Sequence, residues 1–546
     1  MDRRTFVSGA AAGLGAVALL GDPLAASAAA RRRTRYARVP LAKGVEFRQS
    51  VASGQVRERG ITLWTRLEGL QKTARLQVEV SPDEDFKRIV HRADVVADAA
   101  HDFTARVAVN SKALSPGERY FYRFYTCMDE NSPVGRFKTA RPADSNEPVR
   151  IGFFSCQKFN RGFYTAHAGL AEEDLDLVLC LGDYIYEERA GESSVPGRDD
   201  PTGKNRDGEV QTLDEYREKY RFYQTDQNLL RVRQNHPMMA IWDDHEAENN
   251  YAGDEPSKNP AEENVTKPRR VPFLERRANA YTAFFEQMPR IRPKAMPNRI
   301  YGTIPLGGNA EVFLLDTRQF RDDQPCGDRA GGMCPRGPDT ENPARTHLGA
   351  QQKGWLKDGL ARSPAAWKIV ANQVMIMSFE LPRGNVANPD QWDGYSAERR
   401  EILEHARDRG VQGLTFLTGD IHTFFSGNVT PSGRQGPGEP ASVATEFVGG
   451  SISSQGLADR FGLSGEAGSA PTNAAILANN LHIKYSNQTF KGYGVLEARP
   501  DELLVDYRSP RSVTQPQSEI VTIARHRVPR DRAEIEVSPV ANFDDP

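Results

Sequence analysis

Between residues 47 and 142 apolar and polar positions alternate in short runs, such as Ile61-Thr62-Leu63-Trp64-Thr65-Arg66, Leu76-Gln77-Val78-Glu79-Val80 and Tyr120-Phe121-Tyr122-Arg123-Phe124. Gly, Pro, Asp and Asn break them up. Successive side chains of a strand point to opposite faces, so this period of two predicts half-buried strands and, at this spacing, a small antiparallel β-sandwich. Residues 141–148 read as a linker. Beyond them the alternation stops, and 150–154, 175–181, 238–242, 311–315, 368–375 and 414–418 are unbroken apolar runs of strand length. Helical periodicity fills stretches between them, at 213–233 and 272–288. Strands apolar on both faces must be covered on both, which predicts a layered α/β domain of about 350 residues. Alternating runs return at 492–508 and 519–525 and predict late strands, and the end Asp544-Asp545-Pro546 reads as a frayed tail. Three stretches rich in Pro, Gly and Asp, at 190–208, 251–268 and 321–346, are long for connectors and read as rims of a binding site.

The length of 546 residues agrees with several domains at ~150 residues each. Lys plus Arg total 71 and Asp plus Glu 73, a net charge of −2, so no global field draws the chain to nucleic acid or to an anionic membrane. Any phosphate chemistry must then come from a local site. The chain opens Met1-Asp2-Arg3-Arg4-Thr5-Phe6, continues without charge from Ser8 to Leu20, and reaches small residues at Ala26-Ser27-Ala28. The apolar run is too short to span a bilayer, and the segment resembles a twin-arginine export signal, read by machinery that exports proteins already folded. Residues 1–30 are therefore expected to be a removed leader. The mature protein is expected outside the cytoplasmic membrane, secreted or wall-associated, without stable membrane insertion and as a monomer. Five cysteines fit an oxidising destination: Cys326 and Cys334 share a Gly-rich loop in which two thiols can meet as a disulfide, leaving Cys127, Cys156 and Cys180.

Four of the apolar runs end in metal-binding kinds of side chain. They lead into Ser155-Cys156-Gln157, into Gly182-Asp183-Tyr184-Ile185-Tyr186-Glu187, into Asp243-Asp244-His245-Glu246 and into Gly419-Asp420-Ile421-His422. Ligand sites in α/β sheets form beyond the carboxyl ends of strands, so these four ends can converge on one polynuclear metal site. Each has a plain structural reading: Cys156 as an inert core thiol, Asp183 as a turn or cap, Tyr186 as packing, Asp243 and Asp244 as a solvated loop pair, His422 as a satisfied core histidine. Four such endings together favour the site. A bridging carboxylate such as Asp183 can hold two cations, which acidify a water and clamp a phosphoryl group for in-line attack.

In their order, GDxxY, then an acidic strand end with His and an acid, then GxxH, these motifs resemble those of metallophosphoesterases such as the purple acid phosphatases. Cys156, Asp244 and Asp420 depart from that pattern, standing where Asp, Asn and His are usual. With VASGQVRERGITLWTR, SPVGRFKTA, LLDTRQFR, LGAQQKGWL and WKIVANQVM, nearly the whole chain resembles PhoD-type alkaline phosphatases, also described as phosphodiesterase or phospholipase D enzymes of actinomycetes. The resemblance implies a fibronectin- or immunoglobulin-like β-sandwich at 43–142, an α/β/β/α metallophosphoesterase domain at 148–510 and a C-terminal extension at 511–546. It also implies Fe(III) and Ca(II) as cofactors. Cys156, Asp183, Tyr186 and His422 would hold iron, Asp183 would bridge to calcium, and Asp244 and Asp420 would ligate calcium. Asn372 and Asn250, with Asn249, are further candidates, and His245 takes the place of the leaving-group acid or phosphate contact.

The expected activity is hydrolysis of phosphate monoesters, and of diesters, for scavenging phosphorus. A phosphodiesterase acting on phospholipid head groups or teichoic-acid-like polymers is the alternative enzyme. An exported binding protein with a dead α/β domain is the non-catalytic alternative, against which the full ligand set argues.

Overall fold

The computed structural model describes residues 39–540, apart from 127–129, 259–268, 329–333, 464 and 539. The expected leader, the acidic tail at 544–546 and Cys127 lie outside the described residues.

Two antiparallel sheets build the N-terminal domain. One joins Val51–Arg57, Gly60–Arg66 and Thr104–Asn110, and the other runs His91–Ala97, Ala74–Ser81, Arg119–Tyr125, Gly135–Lys138. Arg119–Tyr125 alternates buried and open positions as its sequence predicts. Gly60–Arg66 does not: it is buried throughout, because the second domain covers the face its polar residues would have shown to water. The Trp64 indole donates to the Glu286 carbonyl at 2.8 Å, and the Arg233 guanidinium lies 4.8 Å from the Trp64 ring. Asp102 takes Arg66, Arg221 and Gln287 together, so this sandwich is bolted to its neighbour.

The second domain contains two seven-stranded sheets. The first is ordered Met238–Ala240, Leu177–Cys180, Val149–Phe154, Tyr493–Ala498, Glu502–Pro510, Ile520–Pro529, Glu536–Ser538. The second is ordered Gly302–Pro305, Ala310–Leu314, Trp367–Asn372, Leu414–Thr418, Ala444–Gly449, Phe424–Val429, Ile483–Asn487. In each, the fully apolar strands of the sequence form the parallel part. The sheets pack face to face: the Tyr507 ring sits 4.8 Å from Phe424, and its hydroxyl donates to the Phe425 carbonyl at 2.6 Å. Helices cover the outer faces. Leu170 of Thr165–Glu172 packs under Gly152, and Gly359 of Gly349–Arg362 lies against Phe313. This is the expected α/β/β/α layering.

Two details differ from the sequence reading. The periodic stretch 213–233 is two helices, Leu213–Tyr223 and Gln227–Asn235, because Asp226 caps the second by accepting from the amides of Asn228 and Leu229 at 3.0 and 3.2 Å. The residues read as a C-terminal extension at 511–546 continue the first sheet: the late strand predicted at 519–525 forms as Ile520–Pro529, which pairs along the whole of Glu502–Pro510, and Glu536–Ser538 adds to it. Among the described residues no helix is long and apolar enough to cross a membrane.

Candidate metal centre

The four strand ends singled out in the sequence meet, and they come from both sheets. Val149–Phe154, Leu177–Cys180 and Met238–Ala240 deliver Cys156, Asp183 and Asp243 to His245 from the first sheet, while Leu414–Thr418 delivers Asp420 and His422 from the second. Two glycines make the approach possible. A Cβ on Gly182 would lie 2.4 Å from the Cβ of Asp243, and one on Gly419 would lie 2.6 Å from the Ser155 side chain. The GD pairs of the sequence are thus a glycine that lets two loops touch and an aspartate that enters the gap. Cys156, Asp183, Asp420 and His422 all have positive φ, of 58, 55, 64 and 56°. Such backbone costs of order 1–3 kcal/mol per residue and is retained where the surroundings require it.

Ligand atoms of Cys156, Asp183 and His422 lie within 4.8 Å of one another, as do those of Asp183, Asp244 and His245 and those of Asp243, Asp244 and Asp420. The three sets overlap at Asp183 and Asp244. The Tyr186 hydroxyl donates to Asp183 Oδ2 at 2.9 Å and lies 3.1 Å from His422 Nε2, so it belongs to the first set. His422 Nδ1 faces the Gln455 carbonyl at 2.8 Å, which places its proton there and leaves the Nε2 lone pair for the cluster. Asp183 Oδ1, Asp243 Oδ2 and Asp244 Oδ1 are buried with no hydrogen-bond partner. Buried carboxylate oxygens without partners are costly, and cations are the groups that satisfy several at once.

The local electrostatics agree. Burial, then the charge of Asp183, pushes the Cys156 thiol well above its usual range, and burial with Asp183 and Cys156 does the same to the Tyr186 phenol. Burial and the surrounding carboxylates also hold the acids of Asp183 and Asp420 well up. Full ionisation of this set therefore calls for positive charge. Burial, helped by Arg460, lowers His422 to about 3, which keeps its ring neutral and able to ligate. His245 goes the other way: burial opposes its charge, but Glu187, Asp244 and Asp183 raise it well above the ordinary histidine range.

Several residues acting here were not picked out in the sequence. Glu246 accepts the amides of Asp183, Tyr184 and Asp243 at 3.1, 2.6 and 2.7 Å, locking two ligand loops together. Glu187 holds His245 Nδ1 and the Asn249 amide, each at 2.8 Å. Arg318 is fully buried and reaches Asp243 through Nε, both oxygens of Asp390 at 2.8 Å and Asp420 at 3.4 Å. Asp243, read in the sequence with a solvated-loop alternative, is buried and joins the third set. Glu187, Glu246 and Arg318 lie inside quoted motifs, but nothing in their spacing separates them from neighbours.

Of the further candidates, the Asn250 amide donates to Asp244 Oδ2 at 2.8 Å, on the edge of the cluster. Asn372 is not brought in: its carboxamide donates to the Val374 carbonyl and accepts from the Trp392 indole at 3.3 Å, inside the second sheet's core. Cys326 and Cys334 form a disulfide, while Cys156 and Cys180 are free and buried.

Comparison with known proteins agrees with this geometry. A family model of PhoD-like phosphatases matches residues 151–507, and a model of the PhoD-like phosphatase N-terminal domain matches 33–141. The chain is 34% identical to alkaline phosphatase D of Bacillus subtilis (strain 168), over 97% of this chain and 88% of that protein. A solved structure of PhoD superposes with a TM-score of 0.78 at 32% identity, covering 91% of this chain and 92% of the other. A purple acid phosphatase from yellow lupin (Lupinus luteus) seeds shares the fold, with a TM-score of 0.51 at 12% identity over 87% of this chain and 73% of that one. Families of this kind imply bound metal ions, which the three overlapping ligand sets are suited to hold. With both of its domains matched in order, the chain is a phosphoric ester hydrolase that belongs to the PhoD-like phosphatase family.

Proposed function

We propose that the chain is an exported alkaline phosphatase that hydrolyses phosphate monoesters, and diesters as well, with Fe(III) and Ca(II) in its site. The observation that carries this reading is the overlap of three ligand sets at Asp183 and Asp244, with three orphaned carboxylate oxygens among them. Cys156, Tyr186 and His422 offer thiolate, phenolate and imidazole, donors suited to a transition metal, with Asp183 beside them. Asp244, Asp420 and Asp243 offer only oxygen, which suits calcium, and Asp183, shared by two of the sets, would bridge. Bound there, such a pair of cations supplies an acidified water and a clamp for phosphoryl oxygens.

The protein's own groups do the rest. Glu187 fixes the His245 ring by its Nδ1–H, leaving Nε2–H to donate to a phosphoryl oxygen or to the departing alkoxide. Glu246 ties down the loop that carries Asp183 by accepting the amides of Asp183 and Tyr184. The arginine pair and apolar run of residues 1–30 support export by the twin-arginine route, and a phosphatase outside the cell serves phosphorus scavenging. The test is metal analysis of protein exported by its native host, read beside turnover of p-nitrophenyl phosphate and bis-p-nitrophenyl phosphate. About one iron per chain with calcium and turnover of both esters is expected; active protein free of iron would overturn the assignment.

A further inference from the structure

Tyr186, Glu187 and Glu188 follow one another, and each serves a different partner at the mouth of the metal centre. Tyr186 puts its hydroxyl among the candidate ligands. Glu187 holds His245, whose ring lies 4.1 Å from the Tyr186 ring. Glu188 holds Lys158, whose Nζ lies 5.4 Å from the centroid of the same ring. Two cations, each oriented by one of two consecutive glutamates, therefore stand beside one tyrosine. Tyr186 and His245 belong to the metal-site motifs, whereas Lys158 lies just beyond Ser155-Cys156-Gln157.

Lys158 is held at both ends. Its amide donates to Ser454 Oγ at 3.1 Å, and that hydroxyl lies 2.7 Å from the Tyr186 oxygen. Its carbonyl accepts from Ser453 Oγ at 2.8 Å. The Lys158 and Glu188 side chains keep 14 and 15% of their exposure, and Asp420 and His422 are likewise only partly covered, so this is where the site opens. An ammonium has three donors, and one engaged by Glu188 leaves others for an incoming anion.

We propose that Lys158 is a phosphate-binding residue that favours monoesters over diesters, with Glu188 as its positioning residue. This rests on the metal centre being the hydrolytic site. A monoester dianion carries one more unesterified, charged oxygen than a diester, and that oxygen has to meet something once the others face the cations. Lys158 offers it a charge-assisted hydrogen bond where a diester would present a neutral alkoxy group.

The test uses the metal-loaded enzyme with Lys158→Met and Lys158→Arg. Iron and calcium contents should match wild type. Affinity for inorganic phosphate, measured by calorimetry, should fall about tenfold in Lys158→Met, the size expected for one hydrogen bond to a charged group. The ratio of kcat/KM for p-nitrophenyl phosphate to that for bis-p-nitrophenyl phosphate should fall by a similar factor, and Lys158→Arg should recover most of both. With metals retained, an unchanged phosphate affinity or an equal fall for both esters would overturn the proposal and leave the metal-site reading standing. Loss of iron from Lys158→Met would overturn it too, by making Lys158 a support of the ligands. Failure of the site reading itself would show in the wild-type protein, as absent metal.

Discussion

Gly182 and Asp243 touch so closely that a Cβ on the glycine would sit 2.4 Å from the Cβ of the aspartate. The contact joins the loop carrying Asp183 and Tyr186 to the loop carrying Asp244 and His245, so the spacing between two ligand sets depends on a missing methyl group. Glu246 reinforces it by accepting amides from both loops.

Gly182→Ala should therefore damage the site and not just the local backbone. Its φ of +114° is strained for alanine, and the clash adds overpacking, together about 2 kcal/mol or more. Gly197 is the matched control, with φ of +77° and nothing within 4 Å of an added Cβ. Thermal unfolding and metal content should show Gly182→Ala losing both stability and metal, and Gly197→Ala losing only a little stability. Equal metal retention in the two variants would contradict the role given to the contact.

Cys156 and Cys180 are both buried and free, but only Cys156 lies in a ligand set. The Cys180 thiol donates to the Gly182 carbonyl, at 3.8 Å. With the Tyr186 phenolate on Fe(III), as proposed above, the protein should carry a visible charge-transfer band, and Cys156→Ala should lose iron, bleach that band and reduce turnover by orders of magnitude. Cys180→Ala should cost about 1–2 kcal/mol of stability and keep its colour. Matching iron content and turnover per folded molecule in the two variants would reduce Cys156 to packing.

Asp420 belongs to the oxygen-only set and to no other. A calcium-selective chelator should abolish activity reversibly while the colour persists, because oxygen ligands exchange calcium more readily than thiolate and imidazole release a transition metal. Asp420→Asn should weaken calcium retention and leave iron in place, as read by elemental analysis. Loss of iron and calcium together would show that the two sets do not divide in this way.

Acid sensitivity should come in part from buried histidines outside the three ligand sets. Burial lowers His167 to about 3 and His236, His482 and His526 to about 4. Their folded values lie below the unfolded value of about 6.5, so they contribute no penalty above it. As pH falls below about 6.5 the unfolded chain takes up protons that the folded one refuses, and stability declines down to about pH 4. With four such groups the limiting slope is about 5 kcal/mol per pH unit. Replacing His236 and His526 by Gln should flatten the fall of the melting temperature between pH 6.5 and 5. An unchanged slope would remove these groups from the account.

Local pattern in the chain already carried the layered architecture, because apolar runs and alternation record how many faces of each strand are buried. It also carried the candidate ligands that the structure brings together, because Cys156, Asp183, Asp244, Asp420 and His422 each follow a strand end within a few residues. What local pattern could not carry was which strand ends come from the same sheet. Three arise in one and the fourth in the other, and the fully buried Gly60–Arg66 strand shows its cover only once the neighbouring domain is in place. Asn372 illustrates the same limit: it sits at the end of an apolar strand like the residues that do meet, yet its carboxamide turns into the core toward Trp392. Arg318, Asp390, Glu246 and Lys158 depend wholly on tertiary contacts. The hydrogen bonds of their side chains reach 30 to 102 positions along the chain, except for the one from the backbone of Asp243 to Glu246, and a side chain that acts across such distances leaves no periodic mark in the sequence.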